Sequence, residues 1–221
     1  MVYAIIAAGG TGTRFGYDKP KQFYVLGEKT VLETTAEKFD GLDIIEKVIV
    51  ACPCEWAEYT RELLCGMRKV QVIQGGETRN ETVMNAIDFI EKNYGLDENT
   101  LVVTHDAVRP FVTQEMIVSG IEKALECGAS VAAVQAVDTV IESKDGKYVF
   151  SVPDRKTMFH VQTPQTFRAV QLKELYNSLT KEEKERLTDC SGIFLLRGQK
   201  VGLCEGDMKN IKITFRSDVE Q

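Results

Sequence analysis

The sequence predicts an α/β domain: a mostly parallel sheet with helices on both faces and a protruding β-hairpin arm. Three observations predict it. Apolar runs alternate with helix-like stretches over the first 136 residues. A glycine-rich segment follows the first apolar run directly. Beyond residue 136 the pattern changes to two short β-like runs separated by Asp145-Gly146, a strong hairpin signal that is hard to place inside a parallel sheet.

The elements follow in order. Residues 2–8 (VYAIIAA), 47–52 (KVIVAC), 100–104 (TLVVT) and 130–136 (SVAAVQA) read as buried strands. Between them, Val83, Met84, Ile87 and Ile90 fall three or four residues apart and predict a helix over 80–93. Met116, Ile117, Ile121, Ala124 and Leu125 do the same for 113–127, with Thr113 as N-cap. Strand–helix alternation implies parallel strands covered on both faces. Residues 137–142 and 147–152 form the expected arm. Residues 170–189 return to helix, with Thr180 and Glu183 placed for a capping box. Two strands near 193–196 and 211–215 are expected to finish the sheet. No repeat or linker interrupts the chain, so residues 1–221 read as one domain with an arm at about 137–160.

Composition excludes several classes. The 221 residues are 43% hydrophobic and 27% charged, as expected of a packed soluble core rather than a disordered chain. A net charge of −6 argues against a nucleic-acid surface but leaves room for a phosphorylated small molecule, which needs only a few local cations. No apolar run is long enough to span a membrane, and no basic leader precedes the first strand. The six cysteines form no CxxC pair, and two histidines are too few to complete a zinc site. They read as reduced thiols of a cytoplasmic protein.

The segment Ala7-Ala8-Gly9-Gly10-Thr11-Gly12-Thr13-Arg14-Phe15-Gly16 falls at the carboxyl edge of the sheet, where α/β proteins bind ligands. Glycines there let backbone N–H groups approach phosphate oxygens. A P-loop would end in Gly-Lys-Ser/Thr, which is missing. A dinucleotide fingerprint would place its third glycine where Phe15 stands. Arg14, Lys19 and Lys21 put cations within and just beyond the turn, which suits a nucleoside triphosphate better than a dinucleotide.

At this point the chain resembles the cytidylyltransferases that act on methylerythritol phosphate and ribitol 5-phosphate. The resemblance rests on AAGGTGTRFGYDKPKQ at 7–22, GGETRNETV at 75–83, THDAVRP at 104–110, AVDTV at 136–140, DRKTMFHVQTPQTF at 154–167, LTD at 187–189 and NIKIT at 210–214. It covers nearly the whole chain. It implies a Rossmann-like nucleotidyltransferase domain, CTP as donor, Mg²⁺ as cofactor, pyrophosphate as leaving group and a homodimer joined through the arm. The run Arg79-Asn80-Glu81-Thr82, the phrase VTHDAVRPFVTQ and Phe159 lean toward the ribitol 5-phosphate branch, whose product, CDP-ribitol, would feed cell-surface polymers. Asp154-Arg155 looks more like the methylerythritol branch of isoprenoid precursor synthesis, which stands as the alternative. Members of the family continue past the NIKIT segment into a terminal helix, so a last helix is expected beyond residue 221.

The resemblance also implies roles. Arg14, Lys21 and Lys212 match cations on the triphosphate and the reacting α-phosphoryl group. Ala7, Ala8, Gly9, Gly10, Gly12 and Thr13 match nucleotide contacts on one side; Gly75, Gly76 and Thr82 match contacts to the cytosine. Asp106 and Arg109 match the substrate side, with Asp106 also near the metal. Thr139, Arg155, Thr163 and Thr188 match positions near the polyol phosphate, with Thr139 and Arg155 expected to reach it from a partner subunit. Attack of an ionised phosphate monoester on CTP needs no general base, in keeping with the scarcity of histidine. A non-catalytic nucleotide-binding module and a dinucleotide-dependent oxidoreductase are weaker readings, disfavoured by the intact cations and the broken glycine fingerprint.

Overall fold

The computed structural model describes residues 1–10, 15, 16 and 18–219. Among these, seven strands form one sheet. They are β1 (Val2–Ala7), β4 (Lys47–Cys52), β5 (Val70–Gln74), β6 (Leu101–Asp106), β7 (Ala129–Gln135), β8 (Phe159–Arg168) and β9 (Gly202–Glu205), in the order β5-β4-β1-β6-β8-β7-β9. Two short strands, β2 (Val25–Leu26) and β3 (Lys29–Thr30), pair separately. The pairs among β5, β4, β1 and β6 are parallel, as is β7 with β9. β8 runs antiparallel to both of its neighbours.

The strands are apolar throughout because both faces are covered. Along β1, Ala4 and Ile6 pack toward α1 (Val31–Asp40), α2 (Ala57–Leu63) and α4 (Gln114–Cys127), where Leu32, Phe39, Ala57, Ile117 and Ile121 close one core layer. Tyr3 and Ile5 point the other way, to Val83, Ile87 and Ile90 of α3 (Arg79–Tyr94), Leu172 of α5 (Ala169–Asn177), and Ile193 and Phe194 of α7 (Ser191–Leu196). Each buried Ile, Leu or Phe contributes about 1.5–3 kcal/mol by leaving water. Local signals set the helix starts. Thr30 with Glu33, Thr78 with Glu81, and Thr180 with Glu183 make capping boxes, the last on α6 (Lys181–Arg186). Thr113 caps α4 through Met116 N–H, as expected.

Four readings of the chain need correction. The helix expected over 170–189 is two helices, because the chain turns at Ser178 and restarts at the Thr180 box. Residues 193–196 are helical, not extended: four apolar residues do not distinguish the two states, and Asp189 accepts hydrogen bonds from Ser191 Oγ and Gly192 N–H at the helix start. Residues 211–215 cross the domain without forming a ladder, held by Ile213 N–H to Val108 O at 2.9 Å; the strand beside β7 is β9 instead. The arm is an exposed excursion whose only bridge among the described residues is Glu142 with Ser151. Its turn is as expected: Asp145 Oδ1 accepts from Lys147 and Tyr148 N–H, and Gly146 takes φ +71°. Two strands alone are marginal in water, so the ladder does not extend.

Candidate active site

β1 lies at a topological switch. The chain leaves it for β4 and β5 on one side, then crosses to β6 on the other. A crevice opens where the carboxyl ends diverge, the position at which open α/β sheets bind ligands. It holds a cavity of about 360 Å³ lined by Ala7, Ala8, Gly9 and Gly10 after β1, by Lys21 and Gln22, by Gly76 through Arg79 and Thr82, by Asp106 through Val108, and by Lys212 and Thr214.

The walls are tied together by backbone and side-chain bonds. Ala8 N–H donates to Ala51 O at 2.8 Å, and Ala107 N–H donates to Ala7 O at 3.1 Å. Gln22 Nε2 donates to Ala8 O at 2.7 Å, which fixes the short 3₁₀ turn Lys21–Phe23 against the end of β1. Lys21 is buried in that turn. Across the cavity, Thr82 Oγ1 accepts from Gly76 N–H at 3.0 Å and donates to Thr78 O at 2.8 Å. A Cβ on Gly76 would stand 2.5 Å from the Cβ of Glu81, so only glycine lets this turn lie on the start of α3.

The charges meet at Asp106, the last residue of β6. Its Oδ1 accepts from Arg79 Nε at 3.0 Å, and its Oδ2 lies 2.9 Å from Lys212 Nζ and 3.7 Å from Arg109 Nε. Burial alone would push this carboxyl up; the cationic charges of Arg79 and Lys212 outweigh it and hold Asp106 well below the usual carboxylate range. Burial would likewise lower the Arg79 guanidinium, and the Asp106 charge reverses that. Lys212 is the half-exposed member of the group, with its side chain 45% accessible against 10% for Asp106. The cluster carries more positive than negative charge and faces a walled cavity. Such a charge balance suits a polyanion.

Ala7, Ala8, Gly9, Gly10, Gly76, Thr82, Lys21, Lys212 and Asp106 thus gather on one cavity, with Gly75 and Arg109 directly behind it. Gly12, Thr13 and Arg14 lie outside the described residues. Thr163 is buried beneath Asp106, its Oγ1 accepting from Asp106 N–H at 3.2 Å. Thr139, Arg155 and Thr188 are exposed and do not line the cavity; Arg155 Nη1 donates instead to Val137 O on the arm at 2.7 Å. Sequence reasoning missed Arg79. The signal was the Thr78-x-x-Glu81 capping box, which places the next residue in the first turn of a helix whose start faces the strand ends.

The model of the 2-C-methyl-D-erythritol 4-phosphate cytidylyltransferase family matches residues 2–221. The chain belongs to that family. It is similar to the solved 2-C-methyl-D-erythritol 4-phosphate cytidylyltransferase of Francisella tularensis, with 32% identity, a TM-score of 0.83, and coverage of 99% of this chain and 96% of that one. It is also similar to the 4-diphosphocytidyl-2C-methyl-D-erythritol synthase of Anaerococcus prevotii, with 28% identity, a TM-score of 0.82, and 99% and 92% coverage. The Thermus thermophilus cytidylyltransferase of the same description gives 26% identity, a TM-score of 0.75, and 99% and 96% coverage. The cytidylyltransferase reading and the α/β nucleotidyltransferase fold therefore stand. The expectation of ribitol 5-phosphate as acceptor, with CDP-ribitol and cell-surface polymers behind it, does not. The family model and these relatives all carry the methylerythritol description. The phrases that leaned toward ribitol, such as Arg79-Asn80-Glu81-Thr82, build the cleft wall and its helix cap, so they carry little information about the acceptor.

The family resemblance implies Mg²⁺. Among the described residues no cluster of three or more His, Cys, Asp or Glu could hold a metal. Both carboxylate oxygens of Asp106 are already committed to cations. The described residues do not fit a resident metal centre. No helix among the described residues is long and apolar enough to cross a membrane.

Proposed function

We propose that this chain transfers CMP from CTP to 2-C-methyl-D-erythritol 4-phosphate and releases pyrophosphate. The carrying observation is the cluster of Arg79, Arg109 and Lys212 around Asp106 at the switch-point cavity, which Lys21 also lines. The reaction brings two anionic phosphates together. The acceptor's monoester oxygen attacks the α-phosphorus of CTP, the bond from that phosphorus to the β-phosphate bridging oxygen breaks, and pyrophosphate leaves. The protein's task is to align these groups and neutralise charge on the phosphoryl oxygens. Lys21, and Arg14 by family resemblance, would hold the triphosphate. Lys212, half-exposed and 2.9 Å from Asp106, would turn toward the α-phosphoryl oxygens. The attacking phosphate is already ionised near neutral pH, so no side chain need take its proton. Mg²⁺ would enter with the triphosphate, as part of the substrate.

Arg155 and Thr139 would act across a homodimer. Neither reaches the cavity of its own chain, and the arm that carries them exposes Val137, Ile141, Tyr148, Val149, Phe150 and Val152. A second copy would cover these side chains and receive the two polar residues on its acceptor side.

The deciding experiment measures pyrophosphate release from CTP and Mg²⁺ with each acceptor separately. Release with methylerythritol phosphate and none above background with ribitol 5-phosphate is expected. The opposite preference, or no release with either, would overturn the reading.

A further inference from the structure

We infer that His105 is a positioning residue for the acceptor side of this site, held as a neutral ring with its proton on Nε2. The inference deepens the proposed reaction and assigns work to a buried group that the chemistry itself leaves idle. His105 is fully buried on β6, beside the ring of Phe39 at 5.1 Å between centroids. Its Nε2 lies 3.1 Å from Arg109 O, and its Nδ1 lies 2.9 Å from Thr163 Oγ1. A carbonyl oxygen only accepts, so Nε2 must carry a proton. Thr163 Oγ1 already accepts from Asp106 N–H at 3.2 Å, which leaves its own hydrogen to donate to Nδ1. Both contacts are satisfied by one neutral tautomer, and burial among the guanidinium groups of Arg79 and Arg109 opposes a second proton.

The ring therefore joins three parts of the site. Through Arg109 O it holds the turn that carries Asp106 and Arg109, itself closed by Arg109 N–H to Asp106 O at 3.1 Å. Through Thr163 it ties that turn to β8. Asn210 completes the frame, with Nδ2 donating to Thr163 O at 2.8 Å and its backbone carbonyl accepting from Arg109 Nη1 at 2.8 Å. Two residues later the chain places Lys212 on Asp106. By contrast, the Gly75–Gly76 turn and Lys21 are held by Thr82 and Gln22, which His105 does not touch. Asp106 and Arg109, on the acceptor side, thus have a support separate from that of the Gly75–Gly76 turn and Lys21.

This separation yields the test. His105→Phe keeps a planar aromatic ring, though a larger one, and removes both bonds. Its turnover with CTP and methylerythritol phosphate is expected to fall about a hundredfold, because a displacement near 1 Å at a reacting group costs that much. CTP binding, measured alone by calorimetry, is expected to stay within about threefold of the parent. His105→Gln restores a donor near the Nε2 position and is expected to recover part of the loss. If His105→Phe turns over like the parent, or loses CTP affinity in step with turnover, the positioning role is wrong. A spectroscopic measurement is independent of substrate choice. The chain has two histidines, so ¹⁵N imidazole spectra of the parent and of His160→Gln assign His105 directly. A protonated Nε2 with a bare Nδ1 at pH 7.5 is expected. The other tautomer, or a doubly protonated ring, overturns the proposal even if the acceptor assignment stands. Failure of the parent to use methylerythritol phosphate would leave the spectrum unchanged and strike the acceptor reading alone.

Discussion

The cleft at the strand ends and the arm over residues 137–158 hold their candidate functional residues in opposite ways. In the cleft, Asp106, Arg79, Arg109 and Lys212 are fixed by one another and by a buried frame of His105, Thr163 and Asn210. On the arm, Arg155 is exposed, and its bond to Val137 O stays within the arm itself. The cleft was assembled by one chain, so its geometry is present before any ligand arrives and costs little to use. The arm carries side chains whose environment the single chain does not supply. On the proposed reading, a site built partly from each would need a second copy to become complete.

The sharpest way to break that comparison is complementation. Lys21→Ala removes a cation from the cleft, and Arg155→Ala removes one from the arm. Each homogeneous variant is expected to lose about 10²–10³-fold in turnover, the usual cost of deleting one group that stabilises developing charge. If the arm acts in trans, a mixed dimer has one site with both defects and one with neither. An equimolar mixture, half of it heterodimer, should then regain roughly a quarter of parental activity. Absence of recovery in dimers shown to be mixed would place Arg155 on its own chain's site, and the contrast between the two regions would dissolve.

A second prediction concerns pH and sharpens the account of the cleft. Burial pushes the His105 imidazole down to about 4 from its ordinary 6.5. A group so depressed binds its proton more readily in the unfolded chain. Its contribution is therefore complete above pH 6.5 and is lost as pH falls toward 4. The size is about 3 kcal/mol over that interval. Asp106 behaves differently in position: its stabilisation is complete above the ordinary carboxylate range and is lost as the pH falls through that range and below it. Urea unfolding at a series of pH values should show a decline beginning near 6.5 that His105→Phe, although less stable at pH 8, largely lacks. An unchanged slope in that variant would show that the ring is not the group responsible.

Much of this molecule was legible in its residues. β1, β4, β6, β7, α3 and α4 follow from apolar runs and 3.6-residue spacing because burial on both faces leaves no ambiguity about what the strands must be. β8 was not legible. Phe159–Arg168 is largely polar and contains Pro164, and its place between β6 and β7 depends on tertiary pairing that no local pattern announces. The same limit applies to the site. A glycine turn after β1 and an acid ending β6 pointed to the cleft, since strand ends are where such sheets bind. The convergence of Arg79 on Asp106 across 27 positions, and of His105 on Thr163 across 58, exists only once the sheet has formed. The acceptor misreading has a related cause: motifs shared between two branches report the common scaffold rather than the part that distinguishes substrates.

The smallest predicted effect compares two copies of one local motif. Thr78 and Thr180 each cap a helix through the same reciprocal arrangement with a glutamate three residues on. Thr78→Ala and Thr180→Ala should each cost about 1 kcal/mol of stability, the usual loss for a cap. Their functional effects should differ. The α3 cap fixes the residue before Arg79, and Thr78 O accepts the Thr82 hydroxyl that holds the Gly76 turn. Loosening it should raise the KM for CTP about three- to tenfold, since roughly 1 kcal/mol of positioning lost at a binding turn is worth about that factor. The α6 cap lies on an exposed helix with no bond to the cleft among those of Thr180, and its loss should leave kcat and KM unchanged. Equal kinetic effects from the two substitutions would mean that cleft geometry follows overall stability rather than the local wall. The frame of bonds around the cavity would then have no special claim on function.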